Sequence, residues 1–375
     1  MDFDFTEEQV SVRELATKIL SDQVTLDRLR GIEAGPEWMD RATWGELAKA
    51  NLLGIGLPED VGGAGLGFFE VCLLLEQIGR TAAPLPAVAT LVAGAATIDR
   101  FGNAEQRKTL LPGVIAGDTV LTAALTEVGA DDPAQPTTTA TAVGKAWTVT
   151  GTKSFVPALD LAARVLVPAT SKERGVGLFL VDPSSTGATV TPLAMAGAAP
   201  LFRLDLDGVA VTADDLLGTF SDDGAAVRWL VEHAVVGLCA TQLGVTAEAL
   251  RLTADYTKQR EQFGRPIATF QAVGQRAADM YIDVEGIRLT TWQAAWRLSE
   301  GVPASAEVAV AKFWAADAGQ RVLHAAHHLH GGVGMDVDYP LHRYYFLAKQ
   351  IELALGGATQ HLVALGALLA ARAAG

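Results

Sequence analysis

The sequence predicts an α+β multidomain chain, with an N-terminal helical domain over 1–118, a middle antiparallel β-domain over 119–220 and a C-terminal helical bundle over 221–375. Three observations carry this. Helix-period patterning fills the first segment and returns near residue 222. Between the two, short β-rich runs alternate with Gly, Pro, Asp and Ser. Half of the 375 residues are hydrophobic, enough for two or three domains that share a large core.

In the first segment, Thr6 followed by Gln9 fits a capping box ahead of VSVRELATKIL. Further helices are expected at 38–52, 68–80, 85–101 and 104–116. The glycine-rich loop PEDVGGAGLGFFE (58–70) lacks the G-x-G-x-x-G spacing, and no βαβ unit surrounds it, so a Rossmann unit is excluded. The middle segment offers TVLTAAL, AWTVTGTKSFV, ARVLVPA, GVGLFLV, ATVTPL and FRLDLDGVAV, with period-two alternation clearest in FRLDLDG. Helices in the last segment are expected at 223–257, 268–299, 304–330, 340–354 and 359–373. They are apolar enough to bury against one another and against another subunit.

The stretch LGGATQ (355–360) interrupts that last segment. Two glycines inside a helix cost about 1 kcal/mol each relative to alanine, so a bend is expected there. The apolar stretch 353–371 reads as this bend followed by a buried helix, not as a membrane span.

Composition excludes several function classes. A net charge of −14 argues against nucleic acid or an anionic membrane as the main partner. Cys72 and Cys239 lie in apolar surroundings, which excludes a disulfide framework and fits a reducing cytoplasm. The acidic start MDFDFTEEQ lacks the basic end and apolar run of a signal peptide.

Two segments offer chemistry. In YTKQREQFGRPIATFQAVGQR (256–276), Arg260 sits just before a turn at Phe263-Gly264, and Pro266 suits the restart of a helix. A guanidinium held there can grip a phosphate by two prongs, with Phe263, Phe270 and Gln271 offering a flat ring a stacking surface and hydrogen bonds. An ordinary surface arginine at a helix–turn–helix is the competing account. In HHLHGGVGMDVDYPLHRYYF (327–346), Gly331, Gly332 and Gly334 allow a ligand close to the backbone. His324, His327 and His328 share a helix face, yet no Asp, Glu or Cys in that turn completes a coordination shell. Hydrogen-bonding or packing histidines are expected there, and no metal.

YTKQREQFGRPIATFQ followed by HLHGGVGMDVDYPLHRYY resembles the acyl-CoA dehydrogenase family. PEDVGGAGLGFFE and ALTEVGADD also match family segments in order, so the resemblance covers nearly the whole chain. DYPLHRYY and LGGATQ are most similar to the actinobacterial steroid-degrading members, which work as α2β2 heterotetramers. The resemblance implies an N-terminal helical domain, a middle antiparallel β-barrel and a C-terminal four-helix bundle, with FAD between the β-domain and the bundle. It implies an acyl-CoA substrate, electron-transfer flavoprotein as acceptor, and a glutamate that takes a proton from Cα while hydride leaves Cβ for the flavin. Each subunit also grips the ADP half of its neighbour's FAD. Here Arg260, Gln262, Phe263, Phe270 and Gln271 match that donated grip, and His328, Gly331 and Gly332 match a Gln-x-x-Gly-Gly segment with His in place of Gln.

The same resemblance exposes departures. The family's base position in Tyr-Glu-Gly-Thr is occupied by Gly356, and Ala358 replaces the threonine. Counting back from Arg260 to Gly244, the alternative base positions fall on Thr241 and Ala234, on one helix face and without a carboxylate. Glu232 lies about 200° around the helix from Ala234, a poor place for a base. TEVGADDP (126–133) puts Asp131 and Asp132 where they would repel phosphates. FVPA (155–158) puts Pro157 where a backbone donor and a threonine hydroxyl are expected. The chain is therefore expected to be the base-less partner of a heteromeric, cytoplasmic, FAD-dependent acyl-CoA dehydrogenase. The alternatives are a self-sufficient homo-oligomer using Glu232 or Asp255, and a non-catalytic structural homologue. Gly356, Gly357 and Ala358 leave room for a bulky acyl group, in keeping with a steroid side chain.

Overall fold

The computed structural model describes residues 4–197 and 199–374; Met1–Phe3 of the acidic start, Ala198 and Gly375 lie outside the described residues. The described chain begins with α1 (Glu7–Gln23), α2 (Leu26–Glu33), α3 (Arg41–Lys49), α4 (Phe68–Thr81), α5 (Thr97–Phe101) and α6 (Ala104–Ile115). Strands follow: β1 (Val120–Ala123), β2 (Thr139–Val143), β3 (Ala146–Pro157), β4 (Ala162–Ser171), β5 (Gly175–Val181), β6 (Ala188–Pro192), β7 (Leu201–Val211) and β8 (Leu216–Ser221). The chain closes with α7 (Ala225–Gln259), α8 (Gln271–Ser299), α9 (Ser305–His330), α10 (Leu341–Leu353) and α11 (Ala358–Ala374). The capping box forms as read, with Thr6 Oγ1 accepting from Gln9 N–H and Gln9 Oε1 accepting from Thr6 N–H. The helix expected at 85–101 is a wide π-type run, Val88–Ala96, that continues into α5. Three elements were not anticipated: α2, β2 and β8. Each is short, and none carries a long periodic pattern.

Compactness follows two interleaved units. The first comprises Met1–Ala34, Cys72–Ala83 and Val235–Gly375. Within it α9 packs against α8, α10 and α11. Glycine sets the closest approach of α4 to α7. A Cβ on Gly244 would stand 1.9 Å from the Glu76 carbonyl oxygen, and one on Gly79 2.1 Å from that of Thr241. DYPLHRYY turns out to be a clasp onto the N-terminal helices. Arg343 Nε and Nη2 each donate to Glu33 at 2.6 Å, Arg30 donates to the Asp338 carbonyl, and Tyr344 O–H donates to the Arg80 carbonyl.

The bend at 355–357 is present, but the helix after it is not buried. Leu362, Val363 and Leu369 of α11 are exposed. One edge of α11 meets α9, and a single chain leaves the rest uncovered. Among the described residues two stretches are long and apolar enough to cross a membrane, Ala225–Gln259 and Leu341–Ala373. The first is mostly buried within the protein, and the second is broken by the bend.

The second unit comprises Gly35–Val71 and Pro84–Ala234. It holds one eight-stranded sheet, ordered β6-β7-β3-β2-β4-β5-β8 with β1 beside β4. Alternation along β7 points Phe202, Leu204, Leu206, Val209 and Val211 into the core. The sheet is not antiparallel throughout: β1 and β2 both pair with β4 in parallel. β5 takes one edge of β4, and the other edge is long enough to be shared by β1 near Ala162–Leu166 and β2 at Thr170. Trp147, Phe179 and Phe220 cluster at 5.6–6.0 Å, each burial contributing about 1.5–3 kcal/mol.

A buried ion pair lies in this unit. Lys153 Nζ donates to Glu127 Oε1 at 2.6 Å, and Glu127 also accepts from the backbone N–H and hydroxyl of both Thr137 and Thr138. Burial works against the Glu127 carboxylate, but Lys153 and the two threonines overcome it and hold its pKa at about 2. Burial pulls Lys153 down to about 8, so both partners remain charged at neutral pH.

Glu127→Gln should cost about 3–5 kcal/mol in denaturant unfolding, because it strands a buried ammonium. The paired replacement Glu127→Leu with Lys153→Met should cost clearly less. A carboxyl at about 2 in the fold and about 4.3 in the unfolded chain stabilises the protein fully above about pH 5. Wild-type stability should therefore fall as the pH drops from about 4.3 toward 2, and the double variant should lose this component in acid melts.

Candidate functional site

The end of α7 and the start of α8 build an exposed platform. Arg260 follows the last turn of α7, its N–H donating to the Tyr256 carbonyl at 2.8 Å. Gln262 pairs with Arg265 across a two-residue hairpin loop, Phe263-Gly264. Both loop residues have positive φ, +55° and +76°, as such a turn requires. Glycine adopts this freely, but phenylalanine is strained there, and Phe263 is nonetheless 93% exposed. A strained aromatic turned out to solvent is costly unless something is to lie on it. Phe270 meets Phe263 edge to face at 6.2 Å, and Arg265 covers the Phe270 ring at 4.3 Å. Arg265 was not singled out from sequence, since only the hairpin brings it to Phe270. Among the described residues Arg260 has no ion-pair partner. Gln271 is exposed in the first turn of α8, where backbone N–H groups favour an anion.

The second segment lies at the end of α9. Gly331 leaves the helix with φ +60° and ψ −138°, a conformation essentially restricted to glycine. A Cβ on Gly331 or Gly332 would meet nothing within 4 Å, so bare backbone faces open space. His328 is exposed beside it. The other histidines are engaged in packing. His327 Nδ1 and His330 Nδ1 donate to the Leu323 and Ala326 carbonyls, while His324 and His327 pack on Tyr345. Among the described residues no group of three His, Cys, Asp or Glu could hold a metal. Among the described residues an unpaired guanidinium, an exposed phenylalanine backed by a second and a bare glycine edge offer chemistry suited to the phosphates and ring of a nucleotide.

The positions at which the resemblance expects a base are occupied by Gly356, Thr241 and Ala234. The bend after α10 runs through Leu355 at φ +54° and Gly356 at φ +98°. A Cβ at Gly356 would stand 3.1 Å from His361 Nε2 and 3.2 Å from Gln360 Oε1. The room expected at residue 356 is thus largely taken by those two side chains; beside Gly357 the nearest atom is 4.0 Å away. His361 Nε2–H donates to the Leu355 carbonyl, and Gln360 Oε1 accepts from Gly357 N–H. Beneath the bend the fully buried Lys312 donates to the Ile351 and Glu352 carbonyls at 2.5 and 3.2 Å. On α7, Thr241 is buried and donates to the Gly237 carbonyl, and Ala234 is buried. Asp255 is held by Arg251 at 2.8 Å, a poor state for a base, and Glu232 is half-buried.

In the sheet unit, Pro157 ends β3, and its carbonyl accepts from Thr122. Phe155 and Ala158 beside it have positive φ. Asp132 caps its own turn through Ala134 N–H and Gln135. The TEVGADDP segment is centred on Glu127, whose buried role sequence reading did not detect. Lys153 lies 26 residues away, and only strand pairing joins them.

Phe263→Gly should leave the unfolding free energy within about 1 kcal/mol, because the lost strain offsets the added chain entropy. Gly356→Ala should cost about 1–2 kcal/mol, because alanine pays for the left-handed backbone. Thermal melts of the two variants side by side check both.

Family models for the acyl-CoA dehydrogenase N-terminal and C-terminal domains match residues 6–118 and 223–367. Acyl-CoA dehydrogenase FadE27 of Mycobacterium tuberculosis is 40% identical over 99% of both chains. The ChsE4–ChsE5 complex from Mycobacterium tuberculosis is similar in structure, with a TM-score of 0.93, 40% identity and 99% of each chain covered. A variant of the Tcur3481–Tcur3483 steroid ACAD gives a TM-score of 0.92 at 45% identity, covering 98% of this chain and 99% of that one. With an acyl-CoA dehydrogenase fold and a match running its whole length, the chain belongs to the acyl-CoA dehydrogenase family, FAD-dependent oxidoreductases that act on CH–CH bonds.

Proposed function

We propose that this chain is the base-less subunit of a heteromeric acyl-CoA dehydrogenase and completes the FAD site of a homologous subunit that carries the glutamate. The carrying observation is the backbone at residue 356. Its φ of +98° and the crowding by His361 and Gln360 make the bend specific for glycine, so the missing carboxylate is not a simple deletion at an otherwise ready site. Thr241 and Ala234 supply no carboxylate in its stead. The lending surface is intact: Arg260, Gln262, Phe263, Gln271, His328, Gly331 and Gly332 are exposed, and Phe270 backs Phe263.

FAD fits that surface in kind, and when bound it supplies the hydride acceptor for Cβ. In this chain Arg260 would neutralise pyrophosphate charge, Phe263 and Phe270 would support a flat ring, and the Gly331–Gly332 backbone would admit the nucleotide closely. Exposed apolar side chains fit a partner chain: Tyr281, Ile282, Leu289 and Trp296 on α8, and Leu362, Val363 and Leu369 on α11. The related ChsE4–ChsE5 is a complex of two different proteins, and the Tcur3481–Tcur3483 steroid ACAD likewise joins two names, which favours a heteromer such as α2β2. The steroid ACAD among them and the open side of Gly357 favour a bulky steroid side-chain CoA. Electron-transfer flavoprotein is the proposed acceptor, the cytoplasm the proposed location, and 1–118, 119–220 and 221–375 the proposed domain division.

The purified chain alone should hold little FAD and turn over acyl-CoA at least 10²-fold more slowly than the co-expressed complex, since loss of a general base costs 10²–10⁴ in rate. Flavin absorbance per chain and native mass of the complex check this. Full FAD loading and turnover by the chain alone would refute the proposal. Gly356→Glu should leave the isolated chain inactive and less stable, because a side chain there pays for the left-handed backbone and displaces His361 and Gln360.

A further inference from the structure

Three rings join the two segments that form the nucleotide-facing surface. Tyr256 sits one turn before Arg260 on α7, and its carbonyl accepts the Arg260 N–H. His330 immediately precedes Gly331 at the end of α9, and its ring stacks on Tyr256 at 4.5 Å and 22°. Tyr339 completes the set, with its hydroxyl 3.0 Å from His330 Nε2 and its ring 6.4 Å from Tyr256. His330 is 3% exposed. Its Nδ1–H donates to the Ala326 carbonyl, which leaves Nε2 as the acceptor for the Tyr339 O–H.

The cluster is anchored at its third corner. Asp338, next to Tyr339, is gripped by Arg30 of α2 through its carboxylate and its carbonyl, each at 2.9 Å. The α7 end and the α9 end are therefore referred to one frame. A helix end alone frays, and neither Arg260 nor Gly331–Gly332 has another described side chain fastening it to the other. Burial by the surrounding helices keeps the imidazole neutral, as this hydrogen-bond pattern requires.

We propose that Tyr256, His330 and Tyr339 are positioning residues that hold Arg260 in register with Gly331–Gly332 and so set the affinity for the ADP end of FAD. This rests on the proposal that these segments grip FAD. The rings act through the chain segments they fasten, and the nucleotide contacts remain with Arg260 and the glycine backbone.

The test uses the co-expressed complex, stripped of flavin and titrated with FAD, with flavin fluorescence as the readout. His330→Phe keeps a ring but loses both the bond to Tyr339 and the Nδ1–H bond to the Ala326 carbonyl, whereas Tyr339→Phe loses only the shared bond. Each should raise the FAD Kd about 3- to 10-fold, with kcat at saturating FAD unchanged. The double variant should be no weaker than His330→Phe alone, because that change already removes the bond to Tyr339. His330→Leu removes the stack as well and should weaken FAD further. An unchanged FAD Kd in both phenylalanine variants, with the complex assembled and the wild-type melting profile kept, would overturn the positioning role. Arg260→Ala in the same complex separates the two layers. If it leaves the Kd unchanged, the grip itself is refuted; if it weakens FAD while the ring variants do not, only the positioning role falls.

Discussion

A buried ammonium under a helix end governs the bend on which the proposed function of this protein depends. Lys312, with no solvent exposure, donates to the last carbonyls of α10 and meets the negative end of that helix. Burial lowers it to about 8, so it stays charged at neutral pH. With α10 stopped there, the chain turns through two left-handed residues, and His361 closes the turn on the Leu355 carbonyl. Residue 356 is thereby committed to glycine by backbone angle and by crowding together. A side chain at residue 356 would meet the left-handed backbone together with His361 and Gln360.

Against that closed bend stands an open surface at the other end of the bundle. Among the described residues, a phenylalanine held at φ +55° and turned out to solvent, a guanidinium without an ion pair, and a glycine edge with nothing within 4 Å of an added Cβ are each unfavourable in a chain that works alone. The exposed apolar residues of α8 and α11 point the same way. Taken together they are the features on which the proposed role of a subunit lending its surface to another chain rests.

Much of the secondary structure was legible because it rests on local patterning. Helix period, the Thr6–Gln9 capping box and period-two alternation in β7 depend only on neighbours in sequence. α2, β2 and β8 escaped because short elements are held by tertiary partners: α2 through the Arg343–Glu33 pair, β2 by the edge of β3, and β8 by β5. The buried helix expected after residue 357 is exposed because apolar composition says that a helix will be covered, and not by which chain.

By itself the sequence determined the family, the order helix–sheet–helix, the absence of acids at Gly356, Thr241 and Ala234 and the candidate grip residues, since residue identity and spacing carry all of these. Only the tertiary structure decided which residues are partners. It paired Glu127 with Lys153, set Arg265 on Phe270, turned DYPLHRYY into a clasp for α2, and joined Tyr256, His330 and Tyr339 into one cluster. It also decided that Gly356 is held by its backbone angle and crowded by His361. The physical reason is common to all of them: hydrogen bonds, ring stacking and close packing act over a few ångströms in space, between residues whose separation along the chain carries no trace of the contact.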